Sequence, residues 1–394
     1  MRYAPVTERL AGLGGAKWEI HARARRMKAA GEAVIELTIG EPDVETPPAL
    51  MAVAAAAMQA GRTGYSNGQG EPALTRALAA RYSARRGRRI GPEQVMCFPG
   101  TQTTLYAVLN GLVTTGDEVL LGDPMYATYE GLVRSTGAEV VAVPLRPEAG
   151  FRMQAADVEA RITPRTRVLF LNSPHNPTGA VLTRADLVAL CEVAKAHDLW
   201  VLCDEVYEDL CFPGVDFASP LDLPDHAERV IVASSISKSH AAPGFRSGWC
   251  VGPADFCARL LPLSETMLFG NQPFIADMTA AAVSAPSPVA AAMMARFQRR
   301  AGIIRDLLQG RAGIAVHVPQ AGMFALLDVR ASGLSGTAFA AALLEEAKVA
   351  VMPGESFGAA LSGWLRLSLT QPDEVVAEAC ARIAAFAEAR RKAA

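Results

Sequence analysis

The chain has little that would tie it to a metal, a membrane or an oxidising compartment. Its seven cysteines are scattered, odd in number and without a Cys-x-x-Cys pair. That usage speaks against a disulfide framework and a structural zinc site, and it fits reduced thiols in a cytoplasmic setting. The six histidines show no metal-ligand spacing, so no metal is expected. No apolar run is long enough to span a bilayer; the alanine-rich stretch Ala49–Ala60 is too short and reads as a helix. The N-terminus lacks a signal-peptide pattern. The formal net charge is −2 and no long basic stripe stands out, which leaves neither a membrane nor a nucleic acid as an expected partner. The short cluster Arg85-Arg86-Gly87-Arg88-Arg89 reads as a solvated helix end.

What is present is an ordinary globular composition, with 51% apolar and 20% charged residues. A chain of 394 residues should make two domains, or one large and one small. Apolar runs near Val95, Val119, Val140, Val168, Val201, Val230 and Trp249 alternate with helical stretches. This pattern predicts an α/β fold with a mostly parallel seven-stranded sheet covered by helices on both faces, spanning 45–285. Ser284-Ala285-Pro286-Ser287-Pro288 marks a break. Beyond it come a long helical stretch and short strands at Met323–Val329, Val349–Met352 and Trp364–Thr370, which suit a smaller α+β domain. No internal repeat is visible.

Four segments carry chemistry. The apolar run Arg229–Ser235 delivers Lys238 within Ser235-Ile236-Ser237-Lys238, and Arg246 follows eight residues later, just before Gly248-Trp249. Small hydroxyls beside an amine, with a guanidinium nearby, suit a lysine that carries a phosphorylated aldehyde: the amine must lose its proton, and the phosphate needs donors and a fixed charge. Taken alone, such a lysine is also what a solvated loop provides. The second segment, Trp200-Val201-Leu202-Cys203-Asp204-Glu205-Val206-Tyr207, ends a buried strand in a carboxylate. Strand carboxyl ends face the ligand crevice of a doubly wound sheet. Asp204 can therefore either cap the next helix or pair with a protonated ring nitrogen. Tyr207 points the same way if the chain turns helical, and is otherwise a half-buried aromatic. Third, Ser173-Pro174-His175-Asn176-Pro177-Thr178-Gly179 is a rigid turn after the strand at Val168 that holds Asn176, a donor and an acceptor at once. Fourth, Phe98-Pro99-Gly100-Thr101-Gln102-Thr103-Thr104 opens a helix running to about Val113, whose free N–H groups favour an anion.

In this order and combination, the motifs resemble the class I/II pyridoxal-phosphate-dependent aminotransferases, the fold-type-I, aspartate-aminotransferase-like group. The resemblance runs from Gly40 to Arg366. It implies that the small domain takes both termini, residues 1–44 with 286–394. It implies pyridoxal 5′-phosphate as cofactor, carried by Lys238, with Asp204 on the pyridinium and Tyr207 and Asn176 on the ring oxygen. Gly100, Thr101, Gln102, Ser235, Ser237 and Arg246 would surround the phosphate, and Tyr126 in Asp123-Pro124-Met125-Tyr126 would stack on the ring. Tyr65 in Gly64-Tyr65-Ser66 would reach the phosphate from the neighbouring subunit of a homodimer. Gly40 in Ile39-Gly40-Glu41-Pro42-Asp43 would lie over the substrate, and Arg366 in Trp364-Leu365-Arg366-Leu367 would clamp its α-carboxylate. Without the resemblance, Arg366 reads as a charge on the wet face of a strand. The implied activity is ping-pong transfer of an amino group between an L-amino acid and a 2-oxo acid.

Two positions depart from the family pattern: His240, where an aromatic is commoner, and Ser247, where a small apolar residue is usual. A packing role is the expectation for His240. The run around Lys238 and the Asn172-Ser173-Pro174-His175-Asn176-Pro177 match look most like arginine–pyruvate transaminases, a subgroup hint that leaves the donor open. A β-lyase of sulfur amino acids on the same fold is the alternative activity. A cofactor-sensing regulator would need a fused DNA-binding domain, for which the roughly 40 residues before the first motif leave little room.

Overall fold

The computed structural model describes residues 1–393 except Gly14 and Leu268. Thirteen strands occur among them, in chain order β1 (Ile35–Glu36), β2 (Val95–Phe98), β3 (Glu118–Asp123), β4 (Glu139–Pro144), β5 (Thr166–Asn172), β6 (Trp200–Asp204), β7 (Val230–Ser235), β8 (Gly248–Val251), β9 (Ala315–His317), β10 (Phe324–Asp328), β11 (Val349–Ala350), β12 (Met352–Pro353) and β13 (Trp364–Ser368). The seven-stranded sheet has the order β2-β8-β7-β6-β5-β3-β4. All seven apolar runs identified in the sequence are its strands. β3 to β7 pair in parallel, whereas β8 is antiparallel to both β2 and β7. The chain is thus of the α/β class with a mostly parallel central sheet.

Apart from the edge strand β4, which is partly exposed, the strands of this sheet are apolar without alternation because both faces are covered. Val201 and Cys203 of β6 point into one hydrophobic core, with Leu169, Leu171, Val230 and Val232. Leu202 points into a second on the opposite face, with Phe170, Ile231 and Ala233. A third core gathers Ile20, Ala24 and Leu37 from the N-terminal segment with the helices Ala290–Leu308, Gly336–Ala347 and Asp373–Ala393 and the four-stranded sheet β12-β13-β10-β9. β1 pairs with β11, which ties the two ends of the chain together. The strand β9 has no counterpart in the sequence reading: three residues between loops carry too little pattern.

The basic cluster is only partly the solvated helix end it was expected to be. It closes the helix Pro72–Arg86, with Gly87 left-handed after it, and Arg85 and Arg89 do face solvent. The side chain of Arg86, however, is 5% exposed and pairs with Glu208 and Asp222, both at 3.3 Å, and with Glu205 at 3.5 Å. Its acidic partners arrive from the segment after β6, more than a hundred residues away in sequence. No described helix is long and apolar enough to cross a membrane.

Candidate active site

A cavity of about 340 Å³ opens at the carboxyl ends of β5, β6 and β7. Its wall takes residues from the N-terminal segment (Trp18, Gly40), from the large sheet and the turns after its strands (Asn176, Asp204, Lys238) and from the C-terminal region (Phe324, Arg366). The short β7 ends at Ser235, whose Oγ accepts the Ser237 N–H at 3.2 Å and so starts the single helical turn Ile236–Ser239 that carries Lys238. Lys238 Nζ donates to the Gly40 carbonyl at 2.9 Å. Burial pushes this amine down to about 8; Arg246 and Arg366 act in the same direction, while Glu41 and Asp204 oppose. Desolvation is the largest of these causes.

Asp204 terminates β6 and is 4% exposed. Oδ1 accepts the Val206 N–H at 3.0 Å and Oδ2 accepts the Tyr129 hydroxyl at 2.8 Å. Asp204 therefore does cap the following turn, and it also lines the cavity. Burial raises its pKa to about 6, although both hydrogen bonds and the charge of Lys238 lower it. Among the described residues it forms no ion pair.

Arg366 is also buried, at 1% exposure, on a strand whose five residues are all inside. The wet-face reading fails because β13 is a central strand of its sheet, with β10 on one side and β12 on the other. Its guanidinium lies between the rings of Phe324, 3.9 Å from the centroid, and Phe357, 4.3 Å away. Nη2 donates to the Thr38 carbonyl at 2.6 Å and Nη1 to Asn176 Oδ1 at 3.2 Å, while Nε is buried without a partner. Asn176 Nδ2 in turn lies 3.5 Å from the Tyr207 hydroxyl.

Thr101 and Gln102 begin the helix Gly100–Leu112 and line the cavity with Ser237 and Arg246. Gly100 has φ +84°, and a Cβ there would stand 2.3 Å from Arg246 Nη2. Only glycine lets the helix start and the guanidinium share this space. Arg246 Nη1 donates to the Pro243 carbonyl at 2.8 Å, and the Thr101 hydroxyl is buried without a partner.

A family model for aminotransferase class I and II matches residues 32–383. The chain belongs to this family. The arginine–pyruvate transaminase of Pseudomonas aeruginosa is 45% identical over 384 residues, covering 98% of either protein. The aspartate/prephenate aminotransferase of Cereibacter sphaeroides is 37% identical over 377 residues, covering 92% of this chain and 94% of the other. Among solved structures, the aspartate aminotransferase from Thermus thermophilus with maleate superposes with a TM-score of 0.91 at 30% identity, covering 98% of this chain and all of that one. The enzyme from Rhizobium meliloti gives 0.93 at 29% identity.

Class I and II aminotransferases work with pyridoxal phosphate, and the residues of this aminotransferase fit that group. A buried carboxylate without a cationic partner, an unsatisfied hydroxyl at a helix start and a guanidinium without an acidic partner match a pyridinium and a phosphate in turn.

Of the fourteen residues singled out in the sequence, the structure brings eleven into one cavity: Gly40, Thr101, Gln102, Tyr126, Asn176, Asp204, Tyr207, Ser237, Lys238, Arg246 and Arg366. Gly100 and Ser235 are outside the lining: Gly100 leaves room for the Arg246 guanidinium, and Ser235 Oγ accepts the Ser237 N–H. Tyr65 is not brought to the cavity by this chain; it is 96% exposed, with its ring 6.1 Å from that of Phe269. His240 packs, as expected: it is buried, Nε2 sits 3.1 Å from the Ala282 carbonyl, and burial lowers its pKa to about 4. Ser247 accepts from Asn271 at 3.0 Å and Thr279 at 2.7 Å, so a small polar cluster accounts for its hydroxyl. Tyr129, Trp18 and Phe324 line the cavity but were not read from the sequence. For Tyr129 the Tyr-x-x-Tyr spacing from Tyr126, at a helix start, was the available signal.

Proposed function

We propose that the aminotransferase exchanges an amino group between an L-amino acid and a 2-oxo acid by a ping-pong route, with arginine and pyruvate as the pair to test first. The observation that carries this reading is a cavity holding a half-buried amine (Lys238) and a buried carboxylate (Asp204) together with Arg246 and Arg366, neither of which has an acidic partner among the described residues. Two such guanidiniums suit two anions, a phosphate and a substrate carboxylate.

Pyridoxal phosphate, when bound, supplies an aldehyde that condenses with amines and a ring that draws electrons from the α-carbon. Arg246, Gln102, Thr101, Ser237 and the N–H groups at Gly100 would hold its phosphate. Asp204 would keep a proton on the ring nitrogen, with Tyr126 against the ring and Tyr207 and Asn176 at its oxygen. Arg366 takes the α-carboxylate through its forked N–H groups, under Gly40. Lys238 Nζ, neutral above about pH 8, moves the α-proton. With one carboxylate clamp per site, donor and acceptor take turns, and the amino group waits on the enzyme between them.

The first pair follows the relative's printed activity, at 45% identity over almost the whole chain. The cavity agrees with it. Its three cations are assigned to aldehyde, phosphate and α-carboxylate, and Glu41 is the carboxylate left for a cationic side chain. We also propose that 45–285 and 1–44 with 286–394 are the two domains, since the seven-stranded sheet falls in the first range and β1 pairs with β11 in the second. A homodimer, with Tyr65 reaching the partner's phosphate, would use the exposed tyrosine; the free cysteines suit the cytoplasm.

The test adds single amino acids to the enzyme loaded with pyridoxal phosphate and follows the visible absorption of the cofactor. Arginine should bleach it with release of an oxo acid, and pyruvate should restore it. Release of ammonia and pyruvate from a sulfur amino acid, without bleaching, would instead mark a β-lyase.

A further inference from the structure

Asp204 is held at both carboxylate oxygens, and the two holds differ in origin. The Val206 N–H on Oδ1 is local, closed by the turn after β6. The Tyr129 hydroxyl on Oδ2 spans 75 residues of sequence and comes from the first residue of the helix Tyr129–Ser135. Tyr129 is 3% exposed and Asp204 4%, so the contact is made away from bulk solvent at the cavity wall. The phenol ring is itself wedged, 4.6 Å from Phe170 and edge-on to Tyr126 at 5.5 Å. One short segment therefore delivers the aromatic that lines the cavity and, three residues on, the hydroxyl that meets the carboxylate. A carboxylate with only the Val206 contact could rotate about Cβ–Cγ; with both it has one orientation.

We infer that Tyr129 is a positioning residue, which orients the Asp204 carboxylate toward the ring nitrogen of bound pyridoxal phosphate by donating its phenol hydrogen to Oδ2. The inference rests on the reading of Asp204 as the partner of that nitrogen. A hydrogen bond to a charged group is the stronger kind, and its loss here would leave a buried oxygen unsatisfied.

The test titrates pyridoxal 5′-phosphate into the full-length apoenzyme, followed by quenching of intrinsic fluorescence, for the native chain, Tyr129→Phe, Asp204→Asn and the double variant. Tyr129→Phe keeps the ring and should weaken cofactor binding about tenfold. On the Asp204→Asn background the same change should cost less than about twofold, because the two groups act as one unit. If Asp204→Asn weakens binding and Tyr129→Phe leaves it unchanged, the inference about Tyr129 is overturned while the reading of Asp204 stands. If Asp204→Asn itself changes nothing, the reading beneath it is lost. Should Tyr129→Phe not fold, 3-fluorotyrosine at position 129 preserves the packing and donates more strongly. Its infrared difference spectrum against Asp204→Asn should then show a shifted carboxylate stretch, and an unshifted band overturns the proposal.

Discussion

Lys238 is half-buried and Asp204 buried, and the two are shifted in opposite senses, the amine down to about 8 and the acid up to about 6, each first by desolvation. Neutral amine is the form that attacks an aldehyde, so borohydride trapping of the cofactor on the apoenzyme should accelerate as pH rises through about 8. Lys238→Ala should lose both the label and turnover while still binding cofactor; full activity in that variant would remove the assignment. Asp204 has a stability consequence. Its folded pKa lies above the unfolded value of 3.8, so the contribution of this group is present below that value and is lost as pH climbs through about 6. A shift of this size corresponds to about 3 kcal/mol held against the folded apoenzyme at neutral pH. Asp204→Asn should therefore raise apoenzyme stability at pH 7 by up to about 3 kcal/mol, with the gain shrinking toward pH 4, even as cofactor affinity falls. Urea melts at the two pH values decide it: a variant less stable at both contradicts the argument. Arg366 has no acidic partner among the described residues. Two aromatic rings pack against its guanidinium, and its Nη atoms donate to Asn176 Oδ1 and the Thr38 carbonyl. Arg366→Lys keeps the charge and loses the fork, so KM should rise about tenfold or more for amino and oxo acid alike, with cofactor affinity unchanged.

At the scale of elements, the site is built where strands end. β2 leads to Gly100, β3 to Tyr126, β5 to Asn176, β6 to Asp204 and β7 to Lys238, the arrangement a doubly wound sheet imposes on its ligands. The helix start at Gly100 is the tightest of these joints. Gly100→Ala would place a side chain at φ +84° and against the Arg246 guanidinium. It should destabilise the apoenzyme by about 1–2 kcal/mol and weaken binding of both cofactor and inorganic phosphate. Equal phosphate binding by native and variant proteins in calorimetry would show that the guanidinium is not displaced. These joints were legible in sequence because each is a buried strand, an unbroken apolar run, followed at once by glycine, proline or a polar residue. Pairing direction was not legible, since the run Gly248–Val251 reads the same whether β8 lies parallel or antiparallel to its neighbours. Nor was the burial of Arg86 and Arg366, because an arginine looks solvated until the distant acid or aromatic ring is in place. Tyr129 was missed for the same reason. Its spacing from Tyr126 places it on the same side of the chain, but its meaning lies in one hydroxyl contact with Asp204, 75 residues away, which the spacing does not name.

On the scale of the whole molecule, the cavity draws on the N-terminal segment, the large sheet and the C-terminal strands, yet one aromatic assigned to it faces away. Tyr65 is almost fully exposed beside Phe269, which is itself 51% exposed, and two large apolar rings in water mark a surface made to be covered. If a second copy covers it, Tyr65 works in trans, and that arrangement leaves an arithmetic signature. Tyr65→Ala alone should weaken cofactor binding at every site, and Lys238→Ala alone should abolish turnover at every site. In a mixed dimer of the two, one site carries both defects. The other has an intact Lys238 from the Tyr65→Ala copy and an intact Tyr65 from its partner. Co-expression with two affinity tags, followed by tandem purification, isolates that species. It should turn over at half the native rate per dimer, with native affinity for pyridoxal phosphate at the active half of its sites. Were Tyr65 to act within its own chain, the surviving lysine would sit beside the missing tyrosine, and the mixed species would show only the weakened affinity of the Tyr65→Ala parent.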